Sequence, residues 1–313
     1  MKNYYSFSDY VKQKFGCKVG KISIDTNFGC KHKGNDGGCK FCNLESYKPP
    51  YIVEEDIDKQ WINGVKNYKN RYSKYYGYFQ LGTPLSPFAS KESLMYARKL
   101  IKFDDCVGLM FGARSDMLEE NVLEDLNSLA QKYNKEIWLE MGLQSSNDTT
   151  SLFINRGHDY KSFANTVVHI KNNYKNLIIC THIIFGLPKE IEDNNIILET
   201  KEEMLQTVKD VSSLEVHSVK FHQLDIVKNS AFEKMYYEYN FPTLTEDFYI
   251  ELITEAIALT HKGIIISRLT GDSLYDTLIA PKWTKSKGEI LNLINKSMMS
   301  KNYSQGCLLK KNS

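Results

Sequence analysis

The sequence contains little that would carry a protein into or across a membrane. Its longest apolar runs, such as LIICTHIIF, have the length of a β-strand and fall well short of the roughly 18 residues of a membrane span. The N-terminal stretch MKNYYSFSDY also lacks the continuous apolar segment of a secretory signal. We therefore expect a cytoplasmic protein that does not act at a membrane.

Cysteine is scarce, and its number is odd. Seven cysteines in 313 residues cannot all pair, and the cytoplasm keeps thiols reduced, so a complete disulfide framework is not expected. Three of the seven nevertheless lie within the stretch CKHKGNDGGCKFC, which runs from Cys30 to Cys42. This concentration indicates a shared role for the three thiols.

The chain lacks any stretch rich in Pro, Gly or Ser that would divide it, and it has no internal repeat. Short apolar strands alternate with amphipathic helical stretches, which predicts parallel strands joined by crossover helices. We count seven strand–helix units, close to a barrel but short of a closed eight. Strands are predicted near residues 18–27, 75–81, 106–113, 136–145, 176–186, 217–224 and 263–269, and one of the helices at 195–212.

The net charge of +2 is unevenly distributed along the chain. Residues 1–48 hold nine lysines and four acidic residues, and residues 282–313 hold seven lysines and one acidic residue. The segment between them is therefore acidic, with a net charge of about −9. Two basic ends suit a polyanionic partner, although exposed solubilising lysines explain the same pattern.

The three clustered cysteines have the spacing C-x8-C-x2-C and follow the first predicted strand. They are Cys30, Cys39 and Cys42. In α/β folds of this kind the chemistry gathers at the carboxyl ends of the strands. Three thiolates on a Gly-rich loop suit an iron–sulfur cluster with one iron left open for a ligand. A structural zinc site with His32 as the fourth ligand is the alternative.

The cysteine loop and several later motifs resemble those of one enzyme family. The stretch KISIDTNFGCKHKGNDGGCKFCN is similar to the cluster loop of radical S-adenosylmethionine (SAM) enzymes, specifically of the Elongator-catalytic-subunit-like branch and its YhcC/YtqA-type subgroup. In that branch the first gap is longer than in the usual C-x3-C-x2-C. The resemblance covers nearly the whole chain and also rests on YFQLGTP, LEMGLQSSND, INRGHDY, CTHIIFGLP, VKFHQL, SRLTGD and APKW.

The resemblance implies an α/β fold, a partial (β/α)6 barrel of the TIM type. One of the seven units counted above is then expected to be peripheral. We accordingly place the barrel core at residues 21–270, between an N-terminal segment 1–20 and a basic C-terminal extension 271–313.

The resemblance also implies two cofactors, a [4Fe-4S] cluster and SAM. Cys30, Cys39 and Cys42 would bind three irons, and the amine and carboxylate of SAM would bind the fourth. One electron then cleaves SAM into methionine and a 5′-deoxyadenosyl radical, which removes a hydrogen atom from a substrate.

Residues near the ends of the first strands are implied contacts of these cofactors. Phe41 matches an aromatic residue common beside the last cysteine, with simple packing as a compatible alternative. Gln80 and Gly82 end the second strand, where the family contacts the SAM amine. Glu140 and Gln144 alternate on one strand, so both can face the barrel interior, and a carboxylate there suits the ribose hydroxyls of SAM. A buried hydrogen-bond network is the alternative for this pair.

Two more residues are implied contacts of SAM. Arg156 in INRGHD resembles an arginine that pairs with the SAM carboxylate, a charge-assisted role that suits arginine. The motif FGLP would bring the backbone of Gly186 against the adenine. The roles of His158 and His182 stay open between packing and other contacts.

Four polar residues on the last two strands are candidates for catalysis. Lys220 and His222 alternate on VKFHQL, and two polar side chains inside a barrel are costly unless they are used. Arg268 and Asp272 in SRLTGD lie at the end of the last strand, where we expect the substrate to approach.

The resemblance further implies tRNA as the substrate. Elongator-type enzymes modify wobble uridine with the help of a second, acetyl-CoA-binding domain, for which 313 residues leave no room. The subgroup is associated with a related conversion, from a carboxymethylaminomethyl group on the wobble uridine toward aminomethyl. The expected partners are thus tRNA and a one-electron donor such as flavodoxin or ferredoxin.

Three lysines surround Trp283 and fit contacts with RNA phosphates and bases, with packing of the ring as the alternative. They are Lys282, Lys285 and Lys287.

Two other functions stay open at this point. One is a radical SAM enzyme that acts on a small molecule or peptide, and the other is a non-enzymatic, metal-bearing RNA-binding protein.

Overall fold

The computed structural model of the chain describes residues 3–49, 51–52, 56–271 and 276–309. The strands are β1 (Val19–Ser23), β2 (Lys74–Phe79), β3 (Cys106–Ala113), β4 (Glu136–Gln144), β5 (Leu177–Phe185), β6 (Pro188–Glu192), β7 (Asn195–Leu198), β8 (Ser218–Gln223), β9 (Ile226–Val227), β10 (Ile265–Arg268) and β11 (Leu278–Ala280). The helices are α1 (Phe7–Phe15), α2 (Lys31–Asp36), α3 (Ile57–Tyr68), α4 (Ser90–Leu100), α5 (Glu120–Tyr133), α6 (Asp148–Phe153), α7 (Tyr160–Asn173), α8 (Lys201–Ser213), α9 (Ala231–Glu238), α10 (Glu246–Ala258) and α11 (Lys287–Ser300).

A parallel sheet of seven strands forms the centre of the molecule. Its order is β1-β2-β3-β4-β5-β8-β10. The edge strands β1 and β10 do not pair with each other in the described part of the chain, so the barrel is open on one side. The partial barrel is therefore confirmed. All seven predicted strands lie in the sheet, and the seventh, β10, is a four-residue strand at its edge.

The helix predicted at 195–212 is wrong at its beginning. It begins at Lys201, and the residues before it form β7, which pairs with β6 in an antiparallel hairpin. Asp193 and Asn194 form the turn with φ values of 45° and 66°. Such turns favour Asp and Asn because these residues tolerate positive φ better than most others.

Alternation along the strands gives the sheet two different faces. On β4, the apolar side chains Ile137, Leu139 and Met141 point outward into the core formed with the helices. Trp138 belongs to a separate apolar core inside the barrel, and Glu140 shares its face because side chains two residues apart lie on the same side of a strand. The barrel interior thus holds an apolar core around Trp138 and a polar side chain, Glu140, nearer the carboxyl ends of the strands.

Helix α1 closes the lower end of the barrel. It begins after Ser6, whose side chain accepts a hydrogen bond from Asp9 N, and ends at Gly16 in the left-handed conformation with φ 70°. The Phe7 ring lies 5.6 Å from Trp138, centroid to centroid, and Val11 is buried in the same core. The N-terminal segment, expected only as a chain segment before the barrel, therefore contains a helix that fills its lower end.

One buried carboxylate links α1 to the strands. Glu136 at the start of β4 accepts hydrogen bonds from the hydroxyls of Tyr10 and Tyr76 and from Trp138 Nε1, the last at 2.9 Å. Lys14 of α1 pairs with the same carboxylate. The donors of Tyr76 and Trp138 are buried, so without this carboxylate they would have no partner and no access to water.

None of the helices in the described residues has both the length and the apolar character that crossing a bilayer requires.

Replacing Glu136 with Ala should destabilise the protein by about 3 kcal/mol, because it leaves buried tyrosine and indole donors without an acceptor. Urea unfolding followed by circular dichroism measures this loss as a lower midpoint at an unchanged slope. Glu124→Ala, on the exposed face of α5, is the matched control. A free energy of unfolding for Glu136→Ala within about 0.5 kcal/mol of the wild type would contradict the assigned role.

Candidate active site

The cysteine loop follows β1 at the carboxyl end of the barrel, as the strand pattern predicts. It carries three free cysteines, Cys30, Cys39 and Cys42. Its backbone is anchored on both sides. The carbonyl of Gly29 accepts a hydrogen bond from Thr83 N at 2.9 Å, and Lys40 N donates to Ile154 O at 3.0 Å.

Two buried arginines approach the sulfur of Cys39. Nη1 of Arg156 lies 3.6 Å from this Sγ, and Nη1 of Arg114 lies 4.0 Å from it. Arg156 Nε also donates to Gly142 O at 3.1 Å, while Asp116 holds Arg114 through two hydrogen bonds of 2.8 and 3.1 Å. Both guanidinium groups are thus fixed in position, with positive charge directed at one thiol.

The pKa values of the cysteines reflect these surroundings. Burial raises the pKa of Cys39, but the hydrogen bond with His32 and the two guanidinium groups outweigh it and lower this pKa to about 7. Burial and the neighbouring sulfurs of Cys39 and Cys30 raise the pKa of Cys42 to about 12. Several thiolates in one half-buried loop repel each other, and a bound metal ion would stabilise them all. The loop therefore fits a metal–sulfur centre.

His32, the alternative zinc ligand, supports the loop through hydrogen bonds. Its Nε2 donates to Asn155 O at 2.7 Å, and the hydrogen bond with Cys39 raises the pKa of the imidazole. In this arrangement the ring is a partner of a cysteine sulfur rather than a fourth ligand beside it.

Gly82 allows the loop after β2 to approach the cysteine loop. Its φ is 74°, and a Cβ atom built on it would lie only 1.7 Å from Gly29 O. Any other residue would have to displace the backbone of the cysteine loop. On the strand side, Gln80 Nε2 donates to Ser23 Oγ at 2.9 Å, which connects the ends of β1 and β2.

A cavity of about 200 Å³ opens beside the cysteine loop. Its polar lining comes from five strands, β2, β4, β5, β8 and β10, and from the residue that follows β2: Tyr78, Gln80, Gln144, His182, His222 and Arg268. Its apolar lining is Phe41, Leu44, Leu81 and Ile184. The cavity thus lies between the cysteine loop and polar side chains at the carboxyl ends of the sheet, where we expect chemistry in this type of fold.

A buried ion-pair network lies beneath this cavity. Lys220 Nζ lies 2.5 Å from Glu140 Oε2, which also accepts a hydrogen bond from the Tyr78 hydroxyl. Lys21 Nζ is 3.5 Å from the other carboxylate oxygen, and His182 Nε2 is 3.4 Å from Oε2. Burial opposes ionisation of Glu140, but the two lysines outweigh it and hold its pKa well below the usual value. Burial lowers the pKa of Lys220 to about 8 although Glu140 opposes this change.

An apolar cap covers the carboxyl end of the barrel next to the cavity. It joins Ile196 of the β6–β7 hairpin, Ile226 and Ala280 of the β9–β11 ribbon, and Phe232 of α9. Phe41 of the cysteine loop packs against it. The cap therefore shields one side of the loop from water and ties its position to three elements outside the sheet.

The structure brings most of the predicted cofactor residues together at this end. Phe41, Gln80 and Gln144 line the cavity, and Gly82 contacts the cysteine loop. The predicted substrate residues His222 and Arg268 line the opposite wall.

Besides Gly82 and the three cysteines, four predicted residues in the described part of the chain do not line the cavity. Glu140 and Lys220 lie in the network below it, so their contacts match the alternative of a buried hydrogen-bond network. Arg156 lies beside Cys39, and Gly186 donates its N–H to Met204 Sδ at 3.2 Å behind β5. The roles assigned to these residues stay predictions. Asp272 lies outside the described residues.

The two histidines with open roles occupy different places. His182 lines the cavity and contacts Glu140 Oε2. His158 stacks on Phe163 with ring centroids 6.2 Å apart, and burial together with Arg156 lowers its pKa to about 4. His158 thus has a packing role.

Sequence reasoning missed three residues of the site, namely Arg114, Tyr78 and Lys21. Arg114 directly follows β3, so the rule applied to SRLTGD, a charged residue at the end of a strand, would have identified it. Tyr78 shares a strand face with Gln80, and this alternation was a usable signal. Lys21 gave no such signal, because its partner Glu140 lies 119 residues away in the sequence and only the sheet brings them together.

Comparison with known families and proteins agrees with this geometry. The model of the family described as Radical SAM superfamily matches residues 26–200, and that of the Radical_SAM C-terminal domain matches residues 216–300. Uncharacterized protein YtqA of Bacillus subtilis is 30% identical over 312 residues, which cover 97% of this chain and 92% of the relative. Uncharacterized protein MJ0486 of Methanocaldococcus jannaschii is 31% identical over 95% of this chain and 89% of the relative.

Among solved structures, the chain is similar to Elp3 of the archaeon Methanocaldococcus infernus with an N-terminus deletion (1–46). The TM-score is 0.65 at 17% identity, over 92% of this chain and 64% of that one. At this identity the likeness shows the fold alone.

The chain belongs to the radical SAM superfamily, since the family model covers more than half of it. Members of this superfamily bind a [4Fe-4S] cluster and SAM, and the protein is a radical SAM enzyme. A loop of three half-buried cysteines beside two arginines fits such a cluster.

Replacing Gly82 with Ala should weaken cluster binding, because the new Cβ would collide with Gly29 O and the backbone would be strained by about 1–3 kcal/mol. Iron content and visible absorption after anaerobic reconstitution measure the effect. Gly288→Ala at the start of α11, where the nearest atom would be 4.0 Å from the new Cβ, is the control. Equal iron content in both variants would contradict the close approach.

The ion pair of Lys220 with Glu140 should show strong energetic coupling. Lys220→Met alone should cost about 3 kcal/mol or more, because it leaves a buried carboxylate with one lysine fewer. The double variant Lys220→Met/Glu140→Leu should cost less than the sum of the single changes. Urea unfolding measures this, and the exposed pair Arg98–Asp125 should show coupling below about 1 kcal/mol as the control. Additive losses at Lys220 and Glu140 would rule out a coupled pair.

Proposed function

We propose that this radical SAM enzyme modifies tRNA and converts a carboxymethylaminomethyl group on the wobble uridine to aminomethyl. The observation that carries the proposal is the cavity between the cysteine loop and the donor-rich ends of β5, β8 and β10. It gives a modified base side chain a place beside the cofactors. The resemblance to Elongator-type enzymes supplies the substrate class.

In this proposal the predicted cofactor residues divide between the cluster and SAM. Cys30, Cys39 and Cys42 hold the cluster, with a 5′-deoxyadenosyl radical available once SAM is bound and reduced. Phe41, Gln80, Gly82, Gln144, Arg156 and Gly186 surround SAM, with Glu140 below them. The barrel core spans 21–270, flanked by the segments 1–20 and 271–313.

The proposed reaction acts on the methylene carbon between the side-chain nitrogen and the carboxylate. One hydrogen atom leaves this carbon and forms 5′-deoxyadenosine, and one further electron passes to a one-electron carrier such as flavodoxin or ferredoxin. Water then adds to the resulting iminium carbon, and the carbon–nitrogen bond breaks. The products are aminomethyluridine and glyoxylate. The same class of carrier supplies the electron that cleaves SAM.

Pairs of lysine and phenylalanine at the rim of the cysteine loop support an RNA substrate. Lys31 Nζ lies 4.0 Å from the centroid of the Phe88 ring, which is 62% exposed. Lys40 Nζ lies 4.4 Å from the centroid of the Phe153 ring. An exposed aromatic ring beside a positive charge, as at Phe88, suits an unstacked base and the phosphate next to it. Phe153 is half-buried and packs against the apolar cap.

Trp283 does not add to this support. Its Nε1 donates to Leu244 O at 3.0 Å, and its ring lies 5.0 Å from Tyr249, while Lys285 pairs with Glu246. These contacts match the packing alternative. RNA contacts by the C-terminal segment would then come from its lysines rather than from this ring.

Production of 5′-deoxyadenosine tests the proposal. The protein is purified without oxygen, reconstituted with iron and sulfide, and incubated with reductant and SAM, with and without tRNA from cells lacking this gene. We expect 5′-deoxyadenosine to rise with the tRNA, and glyoxylate and aminomethyluridine to form in equal amounts. Cys39→Ala, which removes a proposed cluster ligand, should abolish all three products.

The other outcomes separate the alternatives. Slow 5′-deoxyadenosine formation that is indifferent to tRNA would overturn the tRNA substrate and favour a small molecule or peptide. Retained visible absorption and iron in the Cys39→Ala variant would overturn the ligand assignment.

A further inference from the structure

The cavity wall opposite the cysteine loop is formed by side chains from three neighbouring strands. His182 lies on β5, His222 on β8 and Arg268 on β10, and all three line the cavity. The two imidazole rings stack with centroids 5.7 Å apart and an angle of 26° between their planes. This wall holds three nitrogen-bearing side chains that can donate hydrogen bonds toward one ligand.

The described lining of this cavity includes one positively charged side chain. None of the cavity-lining residues that the structure describes is acidic, and Arg268 is the charged one among them. The nearest carboxylate in the network below, Glu140, is already paired with Lys220 and Lys21. A guanidinium group and two imidazole rings on a wall without a described acidic side chain favour an anionic ligand.

The histidines keep donors available in this positive environment. Burial and the charge of Arg268 hold the pKa of His222 well below its usual value, and burial with Lys220 lowers the pKa of His182 to about 4. Both rings are therefore neutral at pH 7, and each carries one N–H. Nε2 of His222 is buried without a hydrogen-bond partner among the described residues. A ligand atom that completed this contact would recover the free energy lost on burial.

We propose that Arg268 and His222, with His182 beside them, form a subsite that binds the carboxylate of the substrate's carboxymethyl group. The inference rests on the proposed function. Binding of the carboxylate fixes the neighbouring methylene carbon, which is the carbon from which hydrogen is removed. The subsite thereby distinguishes the substrate, which carries a carboxylate, from the aminomethyl product, which does not.

The SAM carboxylate is the competing ligand for this subsite. Arg156 and Arg114 lie at Cys39, on the side of the barrel formed by the ends of β3 and β4. These two guanidinium groups contact a sulfur of the cluster loop, whereas Arg268 lies on the edge strand β10. The geometry therefore assigns the SAM carboxylate to the first pair and the substrate carboxylate to Arg268.

Binding of three RNAs tests the subsite. Anticodon stem-loops with carboxymethylaminomethyluridine, aminomethyluridine or uridine at the wobble position are titrated into the reconstituted protein with SAM bound. We expect the wild type to bind the first RNA about tenfold or more tightly than the other two, because a hydrogen bond to a charged group typically strengthens binding by that much. Arg268→Gln should reduce this preference to near one, and Arg268→Lys should retain part of it. Arg98→Gln, on the outer surface, is the matched control.

Folding and SAM binding are measured on the same samples. Circular dichroism and iron content show whether Arg268→Gln is folded, and His222→Phe provides a second variant should it not be. We expect the dissociation constant of SAM to change less than that of the carboxymethyl RNA. A larger change for SAM, with RNA preference retained, would overturn the subsite and assign Arg268 to SAM.

Two failures can be told apart. Unchanged RNA preference in both the Arg268 and His222 variants, while the wild type still converts the carboxymethyl RNA, overturns the subsite and keeps the proposed function. If no RNA raises 5′-deoxyadenosine formation in the wild type, the proposed function is wrong. The proposal that this subsite recognises the carboxymethyl group is then wrong as well.

Discussion

The structure depends on one carboxylate inside the barrel. Glu140 on β4 pairs with Lys21 on β1 and Lys220 on β8, accepts a hydrogen bond from Tyr78 on β2 and contacts His182 on β5. A single charged group thus connects five of the seven strands of an open sheet. A buried ion pair is costly unless each charged group has its partners. Glu140 has its partners only in this arrangement of the strands, so the ion pair favours this arrangement over other compact ones. Tyr78 and His182 of this network also line the cavity above it.

The carboxyl end of the barrel depends on close backbone approach and fixed positive charge. Gly82 lets the loop after β2 touch the cysteine loop, and Arg114 and Arg156 direct two guanidinium groups at Cys39. The apolar cap packs against Phe41 on the other side. Together they position three thiols that would repel each other as thiolates. Preorganised charge of this kind is what a protein contributes when the cofactor supplies the difficult chemistry.

Much of the fold was predictable because strand-sized apolar runs alternate with stretches in which apolar residues recur at helical spacing. The strand CVGLMFGA has the predicted bounds, and all seven predicted strands lie in the sheet. The hairpin of β6 and β7 was missed because its Ile-rich second strand continues into a helix, and the Asp193–Asn194 turn is a weak signal alone. Helix α1 was also missed, since its burial depends on a barrel interior that a linear pattern does not reveal.

The sequence by itself determined the family, the three thiols and the side of the sheet on which they lie, because spacing and strand order are local properties of the chain. Tertiary structure alone decided which polar residues meet. Glu140 and Lys220 alternate on their strands in the same way as Gln144 and His222, yet the first two form a buried pair and the last two line the cavity. The two pairs differ in how far their side chains lie from the carboxyl ends of the strands. This distance follows from the register between strands that are far apart in sequence.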